Sequence, residues 1–221
     1  MSLRDFIPKK VNNRVVLDVY DGLRHIDKVH HSKLISERNY NHNLGEITAH
    51  SINRNKSEYI ENQHEFDDLK YGCVTASYSS CEIISIYNVY VYYFGEAKVS
   101  FPELIKDFES DGMALNGFFG TSPRVLARYL NSHGFKAVIH NGKDMIKFCE
   151  GEKCLVLTFY NNEDNIMDMV HTICLTKEQD GYYGHNVNCN GKVLGPYQSV
   201  ENFMKSINKG KSKLISSINV K

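Results

Sequence analysis

The sequence predicts an α+β domain in which helices come first and an antiparallel sheet second. Three observations carry that reading. From Tyr71 onward dense apolar segments are divided by short turn signals, as in a compact core. The segments between about 80 and 133 carry helical spacing, whereas those from 154 on are β-branched runs, two of them joined through Asp180-Gly181, a strong hairpin signal. Helices followed by antiparallel strands define the class.

The first helix is expected at about 80 to 94, in "SSCEIISIYNVYVYYFG". Its Ile, Val, Tyr and Phe content favours a strand. However, Ile83, Ile84, Ile86, Tyr87, Tyr90, Val91 and Phe94 fall at i, i+3, i+4, i+7 spacing, the run is long for a strand, and Gly95 stands where a helix stop belongs. Ser79-Ser80-Cys81-Glu82 fits the S-x-x-E capping box, which puts Cys81 in the first turn, where free amides and the helix dipole favour a thiolate.

Further helices are expected at about 101 to 110, begun by Ser100 and Pro102, and at about 122 to 133, opened by Thr121 or Ser122 with Pro123 and stopped by Gly134. A short strand "KAVI", a helix at about 143 to 149, and the runs "CLVLTFY", "MVHTICLT" and "YYGHNVN" follow; a helix at about 199 to 208 and a strand "KLISSINV" close the chain. Residues 1–70 are polar and charge-mixed and read as an N-terminal extension, a pro-segment or docking arm, with residues 71–221 as the folded domain. Within the extension "RVVLDVYDGL" alternates as a short strand does, and "EYIENQHEFDDL" suits a loop or a helix.

The 221 residues carry 26 basic and 26 acidic side chains, so no net field draws a nucleic acid or an anionic membrane. No stretch of 18 or more apolar residues suggests a membrane span, and "MSLRDFIPKK" has no signal-peptide character; the expectation is a soluble chain, cytoplasmic or secreted by another route. The six cysteines (Cys73, Cys81, Cys149, Cys154, Cys174 and Cys189) form no CxxC and no zinc-finger spacing, so no metal and no cofactor is expected, and most read as small buried apolar residues.

A thiol nucleophile needs a base near in space and an acceptor that orients the base. Among the ten histidines, His171 stands apart because "MVHTICLT" places it on a strand face with Ile173 and Leu175. The hairpin at Asp180-Gly181 brings the next strand back toward it, so that Asn186 can orient the imidazole; a one-residue slip would present His185 or Asn188 instead.

These stretches resemble papain-like cysteine peptidases, and most closely the bacterial C39-like branch. The carriers are Ser80 to Asn88, "GFFGTSP" at Gly117 to Pro123, and Val170 to Ile173, with a likeness running from about 71 to 208. The resemblance implies a papain-like fold with Cys81 as nucleophile, His171 as general base and acid, and Asn186 as orienter. The family places a glutamine about six residues before the cysteine to hold the oxyanion; this chain has Thr75 there, whose hydroxyl is the candidate donor beside the Cys81 amide. A cysteine peptidase acting on a peptide or protein is the expected function. A silent papain-like module that binds a peptide or protein partner, and a transglutaminase-like acyl transferase, are the alternatives.

Overall fold

The computed structural model describes residues 13–30, 33–49, 56–162 and 169–221. It is a mixed α+β fold with helices and an antiparallel sheet. Two helices, α1 (Asn13–His30) and α2 (Lys33–Ala49), precede a two-stranded hairpin of β1 (Lys70–Tyr71) and β2 (Val74–Thr75). Helices α3 (Ala76–Ser79), α4 (Cys81–Phe94), α5 (Phe101–Ser110) and α6 (Pro123–Ser132) follow. Then come β3 (Ala137–His140), α7 (Met145–Cys149), β4 (Cys154–Tyr160), β5 (Val170–Lys177), β6 (Tyr182–His185), β7 (Leu194–Tyr197), α8 (Val200–Ser206) and β8 (Lys213–Val220). The large sheet runs in the order β3-β8-β4-β5-β6-β7, and its paired neighbours are all antiparallel.

Helix α4 is the spine of the helical half. Every residue from Cys81 to Val91 is buried, which is why its β-branched and aromatic content does not make a strand: tertiary burial on all sides outweighs propensity. Phe94, grouped by spacing with the buried stripe, is exposed instead. Gly95 ends the helix in the left-handed conformation (φ 73°), its N–H donating to the Val91 carbonyl at 2.9 Å.

The capping box expected at Ser79 to Glu82 does not form. A preceding turn of helix, α3, runs into α4 and leaves Ser80 at φ −111° and ψ 17°, outside the extended conformation from which a cap hydroxyl reaches forward. Ser80 Oγ donates back to the Ala76 carbonyl at 2.5 Å, Ser79 Oγ donates to the Gly117 carbonyl, and Glu82 turns into the core. A true capping box opens α5, where Ser100 and Glu103 exchange bonds.

Both faces of the large sheet are covered, so β4 is buried along its whole length. Cys154 and Val156 of β4, with Cys174, Ile218 and Val220, face the helical cluster of Ile83, Ile86 and Leu104. Leu155, Leu157 and Phe159, with Ile173 and Leu175, face α7 and α8 through Met145, Phe203 and Met204. The alternation along β4 and β5 therefore divides two apolar cores. Strand β7 was not foreseen in the sequence, and its pairing with β6 shifts register between Tyr182 and Gly184.

The upstream segment departs most from expectation. "RVVLDVYDGL" lies inside α1, because Leu17 and Tyr20, three residues apart, are buried while Val15 and Val19 are exposed. Leu17 packs with Tyr160 and Ile215. Helix α2 was invisible to hydrophobic periodicity for a physical reason: its buried face is polar, made of Ser36, Asn39 and Asn43. Asn43 exchanges bonds with the Lys70 backbone (Nδ2 to O 2.9 Å, N to Oδ1 2.7 Å), and Asn39 Nδ2 donates to Gly72 O at 3.0 Å and Glu109 Oε1 at 2.7 Å.

"EYIENQHEFDDL" holds one 3₁₀ turn, Gln63–Phe66, capped by Asn62. Ile60, Phe66 and Leu69 belong to the helical core cluster, upstream of residue 71, where the folded domain was expected to begin. Of the cysteines, Cys81, Cys149, Cys154 and Cys174 are buried, whereas Cys73 is exposed and Cys189 half-buried.

Candidate active site

Cys81 opens α4, and α4 packs against β5, the strand that carries His171. The thiol donates to Glu82 Oε2 at 3.3 Å, and the Thr172 main chain hydrogen-bonds the sulfur. Only 6% of Cys81 is exposed. Burial pushes its pKa well above the ordinary thiol value, and the neighbouring Glu82 carboxylate adds to the rise; the Thr172 bond pulls the other way. At rest Cys81 is a protonated thiol. The helix-start effect expected to lower its pKa is outweighed by desolvation.

Glu82 is itself 2% exposed, and burial pushes its carboxyl up to about 7 despite hydrogen bonds from main-chain N–H groups at Glu82 and Thr121 and from the thiol. Room for the carboxylate comes from Gly120. It sits at φ +67°, and a Cβ there would lie 2.7 and 2.8 Å from the two Glu82 oxygens. The "GFFGTSP" loop thus wraps the group next to the thiol.

His171 Nε2 meets the main-chain oxygen of Asn186 at 2.7 Å. A carbonyl only accepts, so Nε2 carries the proton and Nδ1 is left with its lone pair. Burial lowers the His171 pKa below its ordinary value, and the ring is neutral at pH 7, the form that takes up a proton. The ring stands edge-on to Phe159, directly across the β4–β5 ladder, at a centroid distance of 5.9 Å.

The three sequence candidates for the orienter separate here. The β5–β6 register pairs Cys174 with His185, so a continued ladder would bring Asn188 opposite His171. Strand β6 stops at His185, however, and Asn186 turns left-handed at φ 59°, which delivers its carbonyl to the imidazole. The Asn186 side chain points elsewhere: Oδ1 accepts from Gln63 N at 3.1 Å and Nδ2 donates to Gln63 Oε1 at 3.4 Å. His185 pairs with Glu61, and Asn188 is exposed.

Thr75 stands at the N-cap position of α3 without a side-chain capping bond; its hydroxyl pairs with Ser77 Oγ at 2.9 Å. Upstream of the expected domain, Gln63 is 5% exposed and bonds both Asn186 and the Ser77 carbonyl, the latter at 2.6 Å from Nε2. Gln63 therefore ties the His171 side of the site to the turn that leads into Cys81.

Helix α1 also reaches the site. Tyr20, 5% exposed, has its pKa raised by burial and then by the charges of Glu82 and Cys81, which places its phenol in their electrostatic neighbourhood. Asp21 accepts from Ser122 Oγ at 2.9 Å and pairs with Arg124 at 2.5 Å; Asp18 pairs with Arg124 at 2.9 Å and Arg24 with Asp111 at 2.7 Å. Around the site, Tyr78, Phe118, Phe119 and Met169 are exposed apolar side chains, and Tyr78 OH contacts Met169 Sδ at 3.9 Å.

Comparison with protein-family models, curated proteins and solved structures finds no match to this chain. Among the described residues no helix is long and apolar enough to cross a membrane, and no group of three or more His, Cys, Asp or Glu could hold a metal ion.

Sequence reasoning missed Tyr20, Glu61 and Gln63, and gave Glu82 a capping role. Tyr20 belonged to a run taken for a strand; Glu61 and Gln63 stand in a polar stretch with no periodic signal. Only the S-x-x-E match drew notice to Glu82, and for a different reason.

Proposed function

We propose that the protein is a papain-like cysteine peptidase that cleaves a peptide or amide bond through Cys81, with His171 as base and acid. What supports this reading is a thiol at the head of α4 that meets the main chain of Thr172, next in sequence to His171, whose neutral imidazole is held through Nε2 so that Nδ1 keeps its lone pair. Asn186 acts as orienter through its carbonyl rather than its side chain.

In this reading the Cys81 proton passes to His171 Nδ1 and the sulfur bonds to the substrate carbonyl carbon. The tetrahedral oxyanion accepts from the Cys81 N–H and, once it leaves Ser77, the Thr75 hydroxyl. His171 then gives its proton to the departing amine as the carbon–nitrogen bond breaks. Water, deprotonated by the same imidazole, cleaves the thioester and restores the thiol. The exposed aromatic side chains of Tyr78, Phe118 and Phe119 favour substrates with apolar groups beside the scissile bond.

A second reading, a silent module that binds a peptide, is favoured by the burial of the thiol and the proximity of Tyr20. One experiment separates the two. Hydrolysis of a peptide library should be measured for the full chain, Cys81→Ala and His171→Ala, alongside alkylation of each cysteine. The peptidase reading expects turnover that both substitutions abolish. Turnover unchanged in Cys81→Ala, or none in any preparation even after Cys81 is shown to react with alkylating agent, sinks it.

A further inference from the structure

We infer that Glu61, in the segment leading into the helical core, is a positioning residue that sets the imidazole of His171 by holding Asn186 from behind. The inference rests on the peptidase reading for its kinetic consequence alone; the geometry stands without it.

The chain of contacts is continuous. Glu61 Oε2 accepts from the Asn186 N–H at 2.8 Å, and the carbonyl of that same Asn186 accepts from His171 Nε2 at 2.7 Å. Asn186 is fully buried and left-handed (φ 59°), a conformation open to asparagine, but a buried peptide demands partners that fix which way it faces. Those partners come from one upstream segment: Glu61 takes the amide, and the Gln63 main chain and side chain take the Asn186 side chain.

Glu61 is fixed in turn. Its other oxygen, Oε1, lies 2.5 Å from His185 Nδ1, whose Nε2 lies 2.9 Å from Thr176 Oγ1. Tyr59 stacks on the His185 ring at 3.9 Å and 15°. Both oxygens of one carboxylate are thus spent, one on the residue that orients His171 and one on the buried histidine beside it. A carboxylate with two fixed donors loses little freedom when the site loads, and it keeps the Asn186 peptide from rotating its carbonyl away. Without that oxygen, Asn186 N–H would be a buried donor with no acceptor, and the peptide plane would turn toward whatever could accept it.

The test uses the full chain and reads His171 directly. The ring nitrogens of His171, assigned by the resonance lost in His171→Gln, report the tautomer through 15N shifts across a pH titration, with or without turnover. Wild type should show protonated Nε2 and bare Nδ1. Glu61→Gln keeps shape and one acceptor oxygen but presents a donating amide NH2 to either Asn186 or His185. It should mix the two tautomers, move the His171 titration, and lower kcat roughly 10- to 100-fold with KM little changed. His185→Gln, which removes the pair but leaves the Glu61–Asn186 bond, should keep the wild-type tautomer. A folded Glu61→Gln chain with unaltered His171 resonances overturns the assignment. So does Glu61→Gln that fails to fold, which makes Glu61 purely structural, or His185→Gln that perturbs His171 equally. If no preparation turns over peptide, the peptidase reading falls while the tautomer readout still decides Glu61.

Discussion

Cys81 and Glu82, neighbours in sequence at the head of α4, share a hydrogen bond of 3.3 Å between a buried thiol and a buried carboxylate. Burial raises the cost of charging both groups; the Glu82 carboxylate adds to that cost for the thiol, whereas the thiol, as a hydrogen-bond donor, favours the carboxylate. The thiol is therefore held as S–H, and its ionisation depends on the burial around it and on Glu82.

Glu82→Gln removes the charge without changing shape, so the pH at which Cys81 becomes alkylated should fall. Following the rate of iodoacetamide labelling at Cys81 against pH, in wild type and variant, gives the comparison. An unchanged midpoint would mean that burial alone sets the thiol.

The same substitution should alter the pH dependence of stability. The Glu82 carboxyl is raised in the fold from 4.5 to about 7, so the folded state binds a proton that the unfolded state releases between those values. Its favourable contribution is full below pH 4.5 and is lost as pH rises through 7, about 3 kcal/mol in all. Denaturant melts at pH 5 and pH 8 should differ less in Glu82→Gln than in wild type.

Gly120→Ala should be costly. The new methyl would meet the Glu82 oxygens at 2.7 and 2.8 Å, and a positive φ of 67° already disfavours a side chain. We expect a loss of about 1–3 kcal/mol, measured by thermal or urea unfolding. Glu82→Ala in the same background should recover part of it, since the clash is with that carboxylate.

Tyr20→Ala should open the thiol. Tyr20 is buried near Cys81 and Glu82 on a helix held to Ser122 and Arg124 by Asp21 and Asp18. Alkylation of Cys81 should speed at least about tenfold, equivalent to roughly 1.4 kcal/mol of protection, while labelling of exposed Cys73 stays constant. Equal acceleration at both cysteines would point to general loosening.

Asn43→Ala should remove about 1–3 kcal/mol of stability, because it strips partners from both the N–H and the carbonyl of Lys70. Hydrogen exchange at the Lys70 amide would show the loss locally.

The class of fold was legible in the sequence because it rests on local signals. Gly95 and Ser100 mark helix ends by conformations and bonds confined to a few residues, and the β-branched runs "CLVLTFY" and "HTICLT" match strands buried on two faces. Cys81 and His171 were visible for a similar reason, since a thiol after a turn and a histidine in an apolar strand are unusual where they stand. Helix α2 was not, because its inward face is asparagine and serine, and polar residues paired with distant backbone look like surface until their partners are known.

What the sequence alone determined is the order of helices and strands from α4 onward, β7 excepted, and it singled out the two side chains that the proposed thiol chemistry uses. What only the tertiary structure decided is how those side chains are held. Asn186 meets His171 through its carbonyl because β6 ends at His185 and the chain turns left-handed there, Glu82 turns inward because α3 occupies the space of a cap, and Tyr20 and Glu61 arrive from upstream. Each outcome depends on contacts between residues far apart in the chain, and the energy of such contacts is set by desolvation and by partners that no local pattern records.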